Sequence, residues 1–168
     1  RFGFHVHELT SLYLANLLLN MLLGPLFGKA VGYFGERNTL ILEYFGLALV
    51  FLAYGGVYLF SWGAIIASAL FVIDHLFFSF AFALKTYFQK IADPADIAPT
   101  AAVAFTINHI AAVGLPLVMG LVWLASPSLV FVMAAIMSVI SLALAFLIPR
   151  NPLPGHETIF AGRNPSAN

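Results

Sequence analysis

From Ile97 to Pro149 the chain runs 53 residues without a single Asp, Glu, Lys or Arg. Soluble domains carry about one charged residue in four, and a bilayer crossing takes about 20 predominantly apolar residues. This stretch is therefore long enough for two crossings. Composition extends the reading to the whole chain: of 168 residues, 62% are apolar, 15% aromatic and 8% charged, with a mean hydropathy of +0.99. Such a chain lacks the polar surface needed to dissolve as a globular domain. Seven basic and seven acidic side chains cancel, so no net field attracts nucleic acid. The absence of Cys excludes disulfides, thiolate metal sites and Cys nucleophiles. The chain opens on Arg1 with no signal-peptide pattern, which predicts a start inside a longer gene product.

Helices that are apolar all round give no useful periodicity, so charges and Gly/Pro punctuation mark their ends. Leu9 to Gly28 is uncharged and ends in the run GKAVGYFGERN. Tyr44 to Ile73 is uncharged for 30 residues and is interrupted by Tyr54-Gly55-Gly56, which reads as a tight turn. Ser126-Pro127-Ser128 divides the long stretch. The expected fold is all-α: a polytopic membrane bundle over residues 1–150 with five spans, at about 9–31, 39–54, 57–84, 98–124 and 128–148. Residues 151–168, with three Pro and no apolar pattern, read as an irregular, solvated tail.

Lys and Arg in short loops bias those loops toward the cytoplasm. Lys29, Arg37, Lys85, Lys90, Arg150 and Arg163 fall on one side, against Arg1 on the other. A multi-pass protein of the plasma (inner) membrane with a cytoplasmic C-terminus is expected.

Ionisable side chains inside a span are costly, and by default they face a bundle interior or a wet cavity. Asp74 and His75 lie 11 residues before Lys85, about 16 Å deep at the helical rise. His109 lies equally far past Ala98 and carries Asn108 beside it. Asn16 and Asn20, four residues apart, share one face of the first span. Asn16, Asn20, Asp74, His75, Asn108 and His109 are thus the candidate pathway residues at one level, and spans one, three and four are expected to line a cavity while two and five face lipid. Acid and imidazole groups at the midplane are the parts from which proton relays are built. The bland alternative makes the asparagines helix-to-helix hydrogen bonds and Asp74 a buried partner of a histidine.

The remaining polar signals carry bland readings. Glu43 is expected to pair with Arg37 or a loop lysine. His5 and His7, at a chain end, and His156 and Glu157, in the tail, read as solvated rather than metal-binding. Gly24-Pro25 and Gly114-Leu115-Pro116 stand where helices bend. Asp93-Pro94 reads as a helix cap with Pro at the first helical position, opening a short turn ahead of the fourth span.

The run GKAVGYFGERN resembles the loop motif G-x-x-x-D-x-x-G-x-R/K of the major facilitator superfamily, with Gly28, Gly35 and Arg37 on the motif and Gly32 where the family has Asp. Glycines suit a tight turn between two helices, and the basic residue is free to anchor a neighbouring helix end; the charge-relay carboxylate is missing. The segments KIADPADIAPT and TINHIAAVGLP also look like those of bacterial members. The resemblance covers nearly the whole chain and aligns its spans with helices eight to twelve, the C-terminal half without its first helix. In that family helices seven, eight, ten and eleven line the cavity, the partition the polar residues give independently.

What the resemblance implies is a fragment of a secondary active transporter moving a small solute by alternating access, proton-coupled. Asp74 would be the coupling carboxylate, His75 or His109 its partner, and the asparagines substrate hydrogen-bonders. The implied partners are a small-molecule substrate, protons, the lipid bilayer and the N-terminal half of the same transporter, with no nucleic acid and no cofactor or metal. The competing reading is a non-transporting membrane scaffold or complex subunit. An enzyme ranks last, since the spans hold no ligand cluster or nucleophile with a base.

Overall fold

The computed structural model describes residues 5–60 and 62–161; Arg1 and Arg163, counted above for orientation, lie outside the described residues. Its first helix, α1, spans Val6–Leu59. Laid straight, 54 helical residues would reach about 81 Å, far beyond a hydrocarbon layer about 30 Å thick. The helix breaks at Gly35, whose φ of 77° and ψ of 159° leave the helical region. A side chain there would be strained, so this is a position for glycine. Two arms result, residues 6–34 and 36–59.

Beyond α1 come α2 (Ala64–Phe78), a 3₁₀ turn at Ser79–Ala81, α3 (Phe82–Ile91), α4 (Pro94–Ala125) and α5 (Pro127–Phe146). Caps set the boundaries. The Glu8 carboxylate accepts from the His5 backbone N–H at 2.7 Å, and Asp93 accepts from the Ala95 N–H at 2.9 Å with Pro94 opening α4. No strand occurs among the described residues. Four stretches are long and apolar enough to cross a bilayer: Val6–Val57, Ala64–Ile91, Pro94–Ala125 and Pro127–Phe146.

Three expected boundaries move. The first two expected spans share one helix, broken where the loop motif places Gly35. Gly55 and Gly56 stay helical, and the chain leaves α1 only at Phe60. Their lack of side chains serves packing instead: a Cβ on Gly55 would touch Phe131 and one on Gly56 would press on Trp62. At the start of α4 the expected separate turn is continuous with the helix.

Ring and hydrogen-bond contacts fix the helix directions. Tyr13 meets Phe71, Asn20 meets Ser79 and Phe27 meets Phe80, so the first arm runs parallel to α2. The second arm runs antiparallel to α2, with Gly46 against Phe77 and Gly56 against Trp62. It is also antiparallel to α5: Tyr54 stacks on Phe131 at 5.2 Å and Arg37 reaches Phe146. A core of Val31, Leu40, Ala83, Ala145 and Ile148 gathers at the kink end, with Tyr44 and Tyr87 packed on it. Ala83 and Ala145 let backbones approach closely, as in membrane helix packing generally. The described part of the tail, 151–161, forms no helix and is not solvated throughout: Pro152 is buried, and the Tyr87 hydroxyl donates to the Glu157 carbonyl at 2.6 Å.

Candidate functional site

Along the first arm, Tyr13, Asn16, Asn20, Gly24 and Phe27 recur at helical spacing and form one stripe. On α2 and beyond it, Phe71, His75, Ser79 and Phe82 form another. The stripes meet. The Ser79 hydroxyl donates to the Asn20 side-chain oxygen, while the Asn20 amide donates to the Asn16 carbonyl one turn back at 3.0 Å. Asn20 and Ser79 open onto a cavity of about 300 Å³ that Gly24, Phe27, Gly28 and Phe82 complete. Asn16, only 2% exposed, has no hydrogen-bond partner among the described residues for either side-chain polar atom.

One turn before Ser79, the His75 Nδ1–H donates to the Phe71 carbonyl at 3.0 Å. The Asp74 carboxylate lies 3.5 Å from the same nitrogen, so His75 is held against both its own helix and the acid. Tyr13 closes the site edge-on to the Phe71 and His75 rings. From the second arm, Tyr54 stands within electrostatic reach of Asp74. Of the six expected pathway residues, Asn20 and His75 meet partners across the interface of the first arm with α2, and Asn16 and Asp74 are placed near it, one turn before Asn20 and beside His75.

Asn108 and His109 are not. Both are exposed on α4, which has no buried residue. His109 repeats the local geometry of His75: its Nδ1–H donates to the carbonyl of Phe105 at 2.9 Å, and the Phe105 ring lies 3.9 Å from its own. In each case the Phe-x-x-x-His spacing fixes the tautomer and leaves Nε2 pointing away. The expected division of labour among spans also differs. The second arm and α5, expected to face lipid, carry most of the buried residues because they pack on each other, whereas α4 lines no interior.

At the loop motif, Gly28 lines the cavity beside Asn20 and Gly35 breaks the helix. Arg37 donates to the Phe146 carbonyl at 3.3 Å, at the C-terminal end of α5, where a cation is favoured. Gly32 leaves the motif without its usual carboxylate, but Glu36, one turn later, supplies another: only 4% exposed, it meets Lys90 at 2.7 Å. Glu43 does not make the expected pair with Arg37 or a lysine. It sits two turns beyond the kink, 2% exposed, with Oε2 lacking a hydrogen-bond partner, while Arg37 and Lys90 are held at the kink.

Ser79, Glu36 and Tyr13 escaped the sequence reading. Ser79 follows His75 by four residues, a signal that was there to use; Glu36 was masked by the expectation of an acid at position 32. No family model matches the chain, and no curated protein or solved structure is found similar to it.

Proposed function

We propose that the chain is part of a proton-coupled secondary transporter of the major facilitator type, crossing the membrane five times with a cytoplasmic C-terminus. In it, Asn16, Asn20, Ser79, His75 and Asp74 form one wall of the solute and proton pathway. The observation that carries this is the interface of the first arm with α2, where Asn20 and Ser79 meet beside a cavity, with His75 and Asp74 a turn further along, within otherwise apolar helices. Such groups are rare in spans and mark ion and substrate paths. The break at Gly35 supports two crossings within α1, and the anchoring of Arg37 on the end of α5 gives the loop motif a physical task. In this reading Asp74 carries the exchanged proton, His75 steadies it, and Asn108 and His109 line the opposite wall, which an N-terminal half completes.

A scaffold reading is favoured by one observation: the Asn20–Ser79 hydrogen bond is itself an interhelical tie. Proton flux into vesicles bearing the full-length protein, read with an entrapped pH-sensitive dye, separates the two. Transport predicts flux that Asp74→Asn abolishes while the protein stays folded. Flux that survives Asp74→Asn removes Asp74 from the mechanism. A parent protein without flux, whose Ser79 and Asn20 variants lose only stability, leaves the scaffold.

A further inference from the structure

The kink at Gly35 and the segment after α5 meet around a cavity of about 400 Å³ lined by Phe34, Gly35, Arg37, Asn38 and Arg150. Two guanidinium groups thus face one space, and no carboxylate lines it. The acid nearby, Glu36, is held by Lys90 in the adjoining cavity, which Arg150 also borders without pairing with it. Each guanidinium has five N–H donors; Arg37 gives one bond, to the Phe146 carbonyl, and Arg150 makes none among the described residues. Two like charges sharing a cavity repel unless an anion lies between them. Guanidinium forks match the planar, bidentate geometry of phosphate oxygens.

The position of the cavity restricts what that anion is. It lies where the two apolar arms of α1 join and four residues past the end of α5, the level of a bilayer boundary. Tyr33 and Phe34 stand exposed there, edge-to-face at 5.1 Å, as aromatic side chains do at the headgroup layer. Basic pockets between helix ends on the cytoplasmic side receive lipid headgroups.

We propose that this cavity holds a phosphate group, clamped between Arg37 and Arg150, supplied by the headgroup of an anionic phospholipid or by free phosphate. Neither the transport reading nor the Asp74 site is needed for it. The test uses the full chain in a non-ionic detergent, titrated separately with phosphatidylglycerol, with diacylglycerol of the same acyl chains, and with inorganic phosphate. Saturable binding of phosphatidylglycerol but not diacylglycerol is expected. Arg150→Gln, at an exposed side chain, should not lower the unliganded thermal midpoint, since it relieves the repulsion with Arg37, and should weaken binding about tenfold, the equivalent of one charge-assisted contact. Arg150→Lys should recover part of the loss, and Lys29→Gln, on the same side but outside the cavity, should change nothing. Binding of inorganic phosphate with the same Arg150 dependence, and none of the lipid, makes the free ion the ligand. Equal losses for Lys29→Gln and Arg150→Gln, or no effect of Arg150→Gln on either ligand, overturn the proposal.

Discussion

The second arm of α1 and the helix α4 are both long and predominantly apolar, yet they have opposite fates. The arm packs against α2 on one side and α5 on the other, burying Leu40, Glu43, Leu47, Ala48 and Val50. α4 leans chiefly on α5, through contacts such as Trp123 on Phe131 at 5.9 Å, and buries nothing. Apolarity therefore does not decide which helix becomes interior. The contact shows instead at particular glycines: neighbours close on the arm at Gly46, Gly55 and Gly56, whereas a Cβ on Gly114 or Gly120 of α4 would meet open space. In a bilayer, where apolar burial gives helices little drive to associate, close packing and hydrogen bonds take over.

Breaking the packed side should cost most at its ion pair. Lys90→Met leaves the Glu36 carboxylate nearly enclosed and uncompensated. A loss of about 3 kcal/mol is expected, at the low end for a buried pair because the ammonium is exposed. Unfolding in detergent measures it, and Glu36→Gln added to Lys90→Met should recover most of the loss. If the double variant is no better than the single one, the pair is not what holds the kink to α3. Next is Gly46→Ala. Its Cβ would run into the Phe77 ring, so about 2 kcal/mol of overpacking is expected, relieved when Phe77→Ala is added. The equivalent Gly114→Ala on α4 should be neutral or slightly stabilising, because nothing stands in its way and Ala is the better helix former.

A smaller contrast separates the two polar sites. Ser79→Ala removes the donor to Asn20 and should cost about 1 kcal/mol, a usual value for an interhelical hydrogen bond in a membrane protein. His109→Ala on α4 should fall within about 0.5 kcal/mol of the parent. Because the chain has no cysteine, single-cysteine labelling can sharpen the comparison. His109→Cys should react with a membrane-impermeant maleimide if α4 faces a wet pathway, and Leu40→Cys, enclosed in the core at the kink end, should not. A protected His109→Cys would place α4 against lipid or a partner and take it out of the proposed pathway.

How much of this was legible in the sequence follows from what each signal encodes. Charge spacing fixes depth, so Asp74, His75 and Asn20 could be set near one level and a turn placed somewhere in the run from Gly28 to Asn38, within which the structure breaks the helix at Gly35. Depth carries no information about azimuth or neighbours, which is why His109, level with Asp74 by counting, ends on a helix that does not meet it. Gly55-Gly56 misled for a related reason. A glycine pair marks a turn in water-soluble chains, but in apolar helices the same residues serve close approach, and the sequence around them does not say which. Glu36 was hidden by reading the loop through a motif: the acid is present one turn from the expected position, and only the fold shows it reaching Lys90.

The weakest effect lies in the tail, which extends the packed side rather than α4. The Glu157 carboxylate accepts hydrogen bonds from its own backbone N–H and from that of Gly155, the latter at 2.6 Å, and these hold its pKa below the usual 4.5. A carboxylate depressed in the folded state adds stability that is fully present above its unfolded value and disappears as pH falls through the folded one. The turn at Gly155, where φ is 81°, should therefore loosen on acidification below about pH 4.5, not at neutral pH. With it the Tyr87 hydroxyl should lose the Glu157 carbonyl. Amide exchange at Gly155 followed against pH checks this: the parent should show an acid-side rise in opening that Glu157→Gln lacks, because the amide accepts the same bonds without titrating. An acid-side rise of equal size in Glu157→Gln would assign the loosening to other groups and detach the tail from the packed end.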